Sequence, residues 1–257
     1  YLAELTDDFR IFREQVLTGF LDQVLEEYDF PYETRLVTVY PPLDFQVQYG
    51  ETDFNFMQRL MEEWGIYWFF EHSRGEHKLV LVDNVRSHKI SSGQPLTYAA
   101  HAPHKDADYI AVFHYQQSIT PGRWVTDDYD FTRSRADIMS LDSQPQQTSF
   151  GQQEIFDWPG NFDNTTTGEL LARIRMEERR AAGLCSSGSG PVATLITGCC
   201  FTLHRYPLEQ ANCEYLVLRS RLDISEIQQR SSGHSFRVHC DFTVQPASEV
   251  YRHPRTV

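Results

Sequence analysis

Residues 48–72, QYGETDFNFMQRLMEEWGIYWFFEH, carry the clearest alternation of apolar and polar positions in the chain. Phe54, Met57, Leu60, Met61 and Trp64 recur at spacings of three and four and so share one helical face. Thr52 or Asp53 offers a side-chain oxygen to the orphan amides at the start, and Gly65 takes the left-handed conformation that stops the helix. Glu62 and Glu63 lie off the stripe and read as solvated charge. Residues 66–70 predict an aromatic strand, 73–76 a turn and 77–82 the returning strand.

Elsewhere the pattern is less regular. Residues 14–28 repeat apolar pairs every four positions and predict an amphipathic helix, with Gly19 its weak point and Pro31 beyond its end. Residues 35–40 read as a strand. So do residues 43–49, where Phe45, Val47 and Tyr49 alternate with Asp44, Gln46 and Gln48, the polar set forming a wet face. Residues 87–108 read as loop, 109–118 as strand, and strand and turn signals continue to about residue 131. The polar stretch 132–167 shows only a strand near 153–156 and predicts interaction loops or an interdomain crossing. A third helix spans 165–182, its apolar face limited to Leu170, Leu171, Ile174 and Met176, which predicts a surface helix. SSGSG at 186–190 reads as a flexible turn, followed by strands at 192–196, 199–206, 215–224 and 235–245. Runs of strands with helices set apart predict a mainly β fold with attached helices, built as antiparallel barrels or sandwiches.

Charge and composition narrow the function. The 257 residues carry a net charge of −13, which repels phosphate backbones, and no dense basic cluster offsets it, so nucleic-acid binding is not expected. Apolar runs stop at about five residues, against the roughly twenty that a spanning helix needs, and no export signal is visible. Tyr1 is not a natural start, so the chain reads as a piece of a longer protein. Cys185, Cys199, Cys200, Cys213 and Cys240 are odd in number and lack paired ligand spacing, and read as small buried thiols.

Catalytic arrangements fail on geometry. Glu62/Glu63 and Asp127/Asp128, with Asp130, are the acid pairs open to a glycosidase, but neighbours on a helix diverge by about 100° and on a strand by about 180°. His72 with His77 flanks a turn without a third ligand, and His101-Ala102-Pro103-His104 with Asp106 lies in a loop. SSGSG lacks the strand-to-helix setting of a serine elbow, and no phosphate loop occurs. No catalytic residue, cofactor site or metal site is expected.

The stretch 48–72 with HKLVLVDNVRSH after it closely resembles the valine-glycine repeat proteins (VgrG) that tip the type VI secretion apparatus. Supporting matches are RIFREQVLTGFLDQVL at 10–25, VTDDYDF at 125–131, ELLARIRMEE at 169–178 and EYLVLRSRLDI at 214–224, so the resemblance covers nearly the whole chain. It implies antiparallel split β-barrels of the phage tail hub type. Residues 1–75 would be the end of a first barrel (its last strand at 1–5) plus a two-helix connection, and 76–257 a second barrel with long loops and one surface helix. The rest of the first barrel, an OB-fold neck and a β-helical spike would lie outside this sequence. The resemblance further implies a homotrimer that adapts a hexameric Hcp tube to a three-fold spike, with spike-tip and effector proteins as partners. It would be assembled in the bacterial cytoplasm and then injected, meeting membranes only through the attached spike. The residues that matter are then structural: Phe54, Met57, Leu60, Met61, Trp64, Gly65, Tyr67 and Phe69. A tail hub or late-control protein of a contractile phage or bacteriocin is the alternative, and a carbohydrate-active enzyme the second.

Overall fold

The computed structural model describes residues 2–93, 95–101, 108–133, 136–146, 150–229 and 233–256. After a short 3-10 turn at Leu2–Glu4 come β1 (Asp7–Val16), α1 (Leu17–Leu25), β2 (Tyr32–Arg35), β3 (Pro42–Thr52), α2 (Asp53–Trp64), β4 (Tyr67–Ser73) and β5 (Glu76–Val82). The middle of the chain supplies β6 (Lys89–Ile90), β7 (Leu96–Thr97), β8 (Val112–His114), β9 (Arg123–Thr126), β10 (Ser140–Ser143) and β11 (Glu154–Asp157). Then follow α3 (Thr165–Ala182), β12 (Ser186–Gly190), β13 (Cys199–His204), β14 (Glu214–Gln229) and β15 (Gly233–Pro246). None of the described helices is long and apolar enough to cross a membrane.

The chain divides into two compact units, residues 1–83, 119–180 and 252–257 in one, and 84–118 and 181–251 in the other. In the first unit β1 and β3 form an antiparallel ribbon, β2, β5 and β4 a small sheet, and β10, β9 and β11 another. Its core gathers Phe12, Leu17, Phe20, Leu21, Val24, Phe56, Leu60 and Trp64. The second unit is a seven-stranded sheet ordered β6-β13-β14-β15-β12-β8, with β7 also on β13, over a core of Ile110, Phe113, Phe201, Tyr215 and Phe242. The fold is therefore mainly β with three α-helices, but the sheets are mixed: β2 runs parallel to β5, β11 to β9, and β6 and β7 to β13.

Several elements differ from expectation for local physical reasons. Residues 14–16 belong to β1, and α1 is only nine residues long, because β1 stays paired to β3 as far as Val16 with Pro42. Residues 2–4 form a 3-10 turn and not a strand. Residues 36–40 are not a strand either: the Asp83 carboxylate accepts from the amides of Val37 (2.9 Å) and Thr38 (2.7 Å) and from the Tyr40 hydroxyl (3.1 Å), satisfying the groups a ladder would have paired. SSGSG is strand β12, held between β15 and β8. A Cβ on Gly188 would lie 2.6 Å from the Phe242 ring and 2.7 Å from the Val112 carbonyl, so glycine here allows close approach and not a turn. The stretch expected to pair next, 192–196, is irregular, while β14 and β15 extend beyond their predicted ends into a long hairpin.

Candidate functional site

Helix α2 is delimited as the sequence predicts. The Thr52 hydroxyl accepts from the Asn55 amide, and Gly65 stands at φ 73, its position bounded by Ile174 and Arg252. Met57, Leu60, Met61, Trp64, Gly65, Tyr67 and Phe69 are buried, and Phe54 is half-buried, edge-on to the Trp68 ring at 5.9 Å. Glu62, however, is 1% exposed, so the reading of it as solvated charge is wrong. A carboxylate stays inside only when its oxygens are met by donors. Gln58 Nε2 donates to it at 2.6 Å from one helical turn back, and Thr256 donates twice, from its amide and its hydroxyl, each at 2.7 Å. His253 Nδ1 lies 3.3 Å from the same carboxylate, and the other end of Gln58 accepts from the Trp68 indole at 2.8 Å. An unbroken path thus links hairpin strand β4, helix α2 and the segment 252–256.

Two arginines close the C-terminal end of α2, where helix carbonyls lack intrahelical partners and carry partial negative charge. Arg175 on α3, 4% exposed, donates to the carbonyls of Glu62 (3.1 Å) and Glu63 (2.7 Å) and pairs with Glu178 at 3.0 Å. Burial and the nearby Arg255 lower its affinity for its proton, against the pull of Glu178. Arg252 donates to the Gly65 carbonyl at 2.6 Å, to the Asp83 carbonyl at 2.9 Å and to Glu177 at 2.7 Å. Helix α3, expected to be a surface helix, therefore buries Arg175 and Glu178 together with Leu171, Ala172, Ile174 and Met176. These two charges face inward, where Arg175 meets the carbonyls at the end of α2, while Glu169, Arg173 and Arg179 remain exposed.

At the opposite end of α2, Asp53 is the second buried carboxylate. Tyr28 donates to it at 2.6 Å and Gln48 at 2.8 Å, and Arg10 forms an ion pair with it. Burial alone would raise its pKa, but the donors from Tyr28, Gln48 and Arg10 outweigh that and hold it below the ordinary aspartate range. Asp83 is held low in the same way by the amides of Thr38 and Val37 against its burial.

The ribbon reverses the expected faces. Gln48 is fully buried, while Phe45 is 62% and Tyr49 78% exposed. Phe9, Ile11, Phe45 and Tyr49 lie together on the outer face, the rings of Phe9 and Tyr49 5.1 Å apart. Leu141, Phe156 and Trp158 make a second exposed apolar area around the β10-β9-β11 sheet, inside the stretch read as interaction loops. The remaining candidates serve local structure. Asp127 accepts from the Asp128 amide, Asp128 from the Asn161 amide, and Asp130 from Thr132 and Arg133. His72 and His77 are brought together, His101 is exposed on the surface, and His104 and Asp106 lie outside the described residues. All five cysteines are free thiols, but only Cys200 and Cys240 are buried as expected, Cys185, Cys199 and Cys213 being partly exposed; burial pushes the Cys200 thiol up to about 12.

Sequence reading missed Asp83, Arg175, Arg252 and Thr256. One signal was available: Gln58 and Glu62, four apart on α2, share a helical face beside the apolar stripe.

Comparison with known proteins places these features in a family. Residues 1–228 match the phage tail baseplate hub (GPD) family. Type VI secretion system spike protein VgrG1a of Pseudomonas aeruginosa is 31% identical over 239 residues, which cover 91% of this chain and 37% of that protein. The chain thus spans little more than a third of the length of that relative. Among solved structures, the Escherichia coli c3393 protein, a type VI secretion component described as similar to phage T4 tail proteins gp27 and gp5, aligns with a TM-score of 0.62. It is 17% identical, over 99% of this chain and 55% of that one. The 43 kDa tail protein of prophage MuSo2 from Shewanella oneidensis aligns with a TM-score of 0.64 at 10% identity, over 97% of this chain and 73% of that one. These likenesses establish a shared fold.

Proposed function

This chain belongs to the phage tail baseplate hub (GPD) family, and on that premise we propose that it is the hub part of a type VI secretion spike protein. Three copies adapt a hexameric Hcp tube to a three-fold spike, with spike-tip and effector proteins as further partners. The protein is assembled in the cytoplasm and injected, and it meets membranes only through the attached spike. It binds no nucleic acid. The finer architecture is that of antiparallel split β-barrels, with residues 1–75 closing the first barrel and connecting to the second, which lies within 76–257 and is built around the seven-stranded sheet of 84–118 and 181–251.

The observation that carries this reading is the anchoring of residues 252–256. A connector has to hold its packed elements firmly together, and here Arg252 and Thr256 make five hydrogen bonds, one of them also an ion pair, to Glu62, Gly65, Asp83 and Glu177, all at 2.6–2.9 Å. The role is structural and not enzymatic: Glu62 is committed to that anchor, and Asp127, Asp128 and Asp130 to local turns. Phe54, Met57, Leu60, Met61, Trp64, Tyr67 and Phe69 serve as filling for the connector, and Gly65 as the seat of the Arg252 side chain.

A tail hub of a contractile phage is the second reading, favoured by the fold shared with the prophage tail protein. One experiment separates the two. The complete reading frame is expressed in a bacterium whose own spike genes are deleted, and release of the tube protein into the medium is scored. Restored release supports the secretion reading. Failure to restore it, with phage-like tail particles that contain the chain, replaces it with the phage reading, and sugar release from peptidoglycan that one carboxylate change abolishes replaces both.

A further inference from the structure

The turn of the β4–β5 hairpin places two imidazoles side by side. His72 faces His77 directly in the register, one pair inside the Ser73–Glu76 pair that closes the turn around Gly75 at φ 81. Cross-strand neighbours on one face of an antiparallel pair bring their side chains within contact distance. The two Nδ1 atoms are 2.7 Å apart and the ring centroids 4.8 Å, and both side chains are exposed. Phe70 stacks on His72 at 6.2 Å with 22° between the planes, which limits how far that ring can swing. Without an ion, one Nδ1 carries a proton and donates it to the other. With both rings in the tautomer that carries its proton on Nε2, each Nδ1 directs a lone pair into the same small space, which is the donor set of a chelate.

We propose that His72 and His77 form a two-histidine site for a divalent late transition-metal ion, Cu²⁺, Ni²⁺ or Zn²⁺, at the end of the hairpin, with water in the remaining positions. Imidazole nitrogen suits these ions, and bond lengths of about 2.0–2.1 Å require the two nitrogens to separate by only a few tenths of an ångström. Exposed side chains reach that separation by small torsional shifts. Among the described residues no group of three His, Cys, Asp or Glu side chains is placed to hold an ion, so the site is an open two-point chelate and not a structural metal centre. Ligand order should follow the general ranking for such sites, with Cu²⁺ bound most tightly.

The test is calorimetric titration of the purified chain with CuCl₂ and then NiCl₂, in parallel with His72→Gln, His77→Gln, the double variant and a control, His114→Gln, at another exposed histidine. One saturable equivalent per chain is expected, weakened tenfold or more by either single change, with no further loss in the double variant and none in the control. Thermal unfolding gives a second readout: added Cu²⁺ raises Tm in the parent chain and leaves it unmoved in both single variants, whose ion-free Tm matches the parent's. No saturable binding by the parent chain overturns the proposal. So does binding that survives either substitution, or an equal loss in the control.

Discussion

Helix α2 and the β1–β3 ribbon adjoin at Thr52 and follow opposite rules. In α2 a carboxylate, Glu62, lies inside; in the ribbon two aromatic side chains, Phe45 and Tyr49, lie outside while Gln48 is enclosed. The difference shows what decides burial in this unit. Gln48 accepts from Arg10 and donates to the Glu51 carbonyl and to Asp53, and Glu62 receives three donors, so neither leaves a polar atom unmatched. The outer ribbon face has no such network and is simply apolar surface. Contiguous apolar surface of this kind marks a contact with another body more often than a misplaced core.

Substitutions can break that contrast, beginning with the largest effect. Arg252→Ala would leave Glu177 and the carbonyls of Gly65 and Asp83 without their buried donor, and a loss of about 3–5 kcal/mol is expected in chemical denaturation. A loss under about 1 kcal/mol would mean that the segment is not held as described. Leu60→Ala should cost about 2–5 kcal/mol through the cavity it leaves, whereas Glu63→Ala, whose side chain is only partly buried, should stay within about 0.5 kcal/mol. The reverse ranking would undo the packing account of α2.

Acid provides a third probe. The Asp53 pKa is depressed in the folded chain, so its contribution is complete above the unfolded value of about 3.9 and disappears as pH falls through the lower folded value. Denaturant midpoints should therefore drop below about pH 4, and Asp53→Asn should flatten that part of the slope while lowering stability at neutral pH. An unchanged slope would remove Asp53 from the account. The smallest effect belongs to the ribbon: Tyr49→Ser should change folding stability by no more than about 0.5 kcal/mol, yet reduce self-association in sedimentation. A large folding defect would mean that Tyr49 belongs to the core after all.

What the sequence made legible was whatever rests on near neighbours. Helix α2 with its cap and its glycine stop, the β4–β5 hairpin and the limits of α3 all follow from residues a few positions apart. What it concealed rests on distant partners. Glu62 is inside because of Thr256, 194 positions away, and residues 36–40 leave the extended ladder because of Asp83, some 45 positions away. SSGSG carries the composition of a turn, and pairing on both sides with the distant strands β15 and β8 makes it a strand. Periodicity also assigns an apolar side without saying which body covers it, and that is why the ribbon faces were inverted.

Arg252 acts as a rivet through three plates. Its guanidinium grips the end of α2 at Gly65, the residue after β5 at Asp83 and the body of α3 at Glu177. A pull on residue 256 therefore meets the two Thr256 bonds to Glu62 first, and behind them a single side chain that ties three separate elements together.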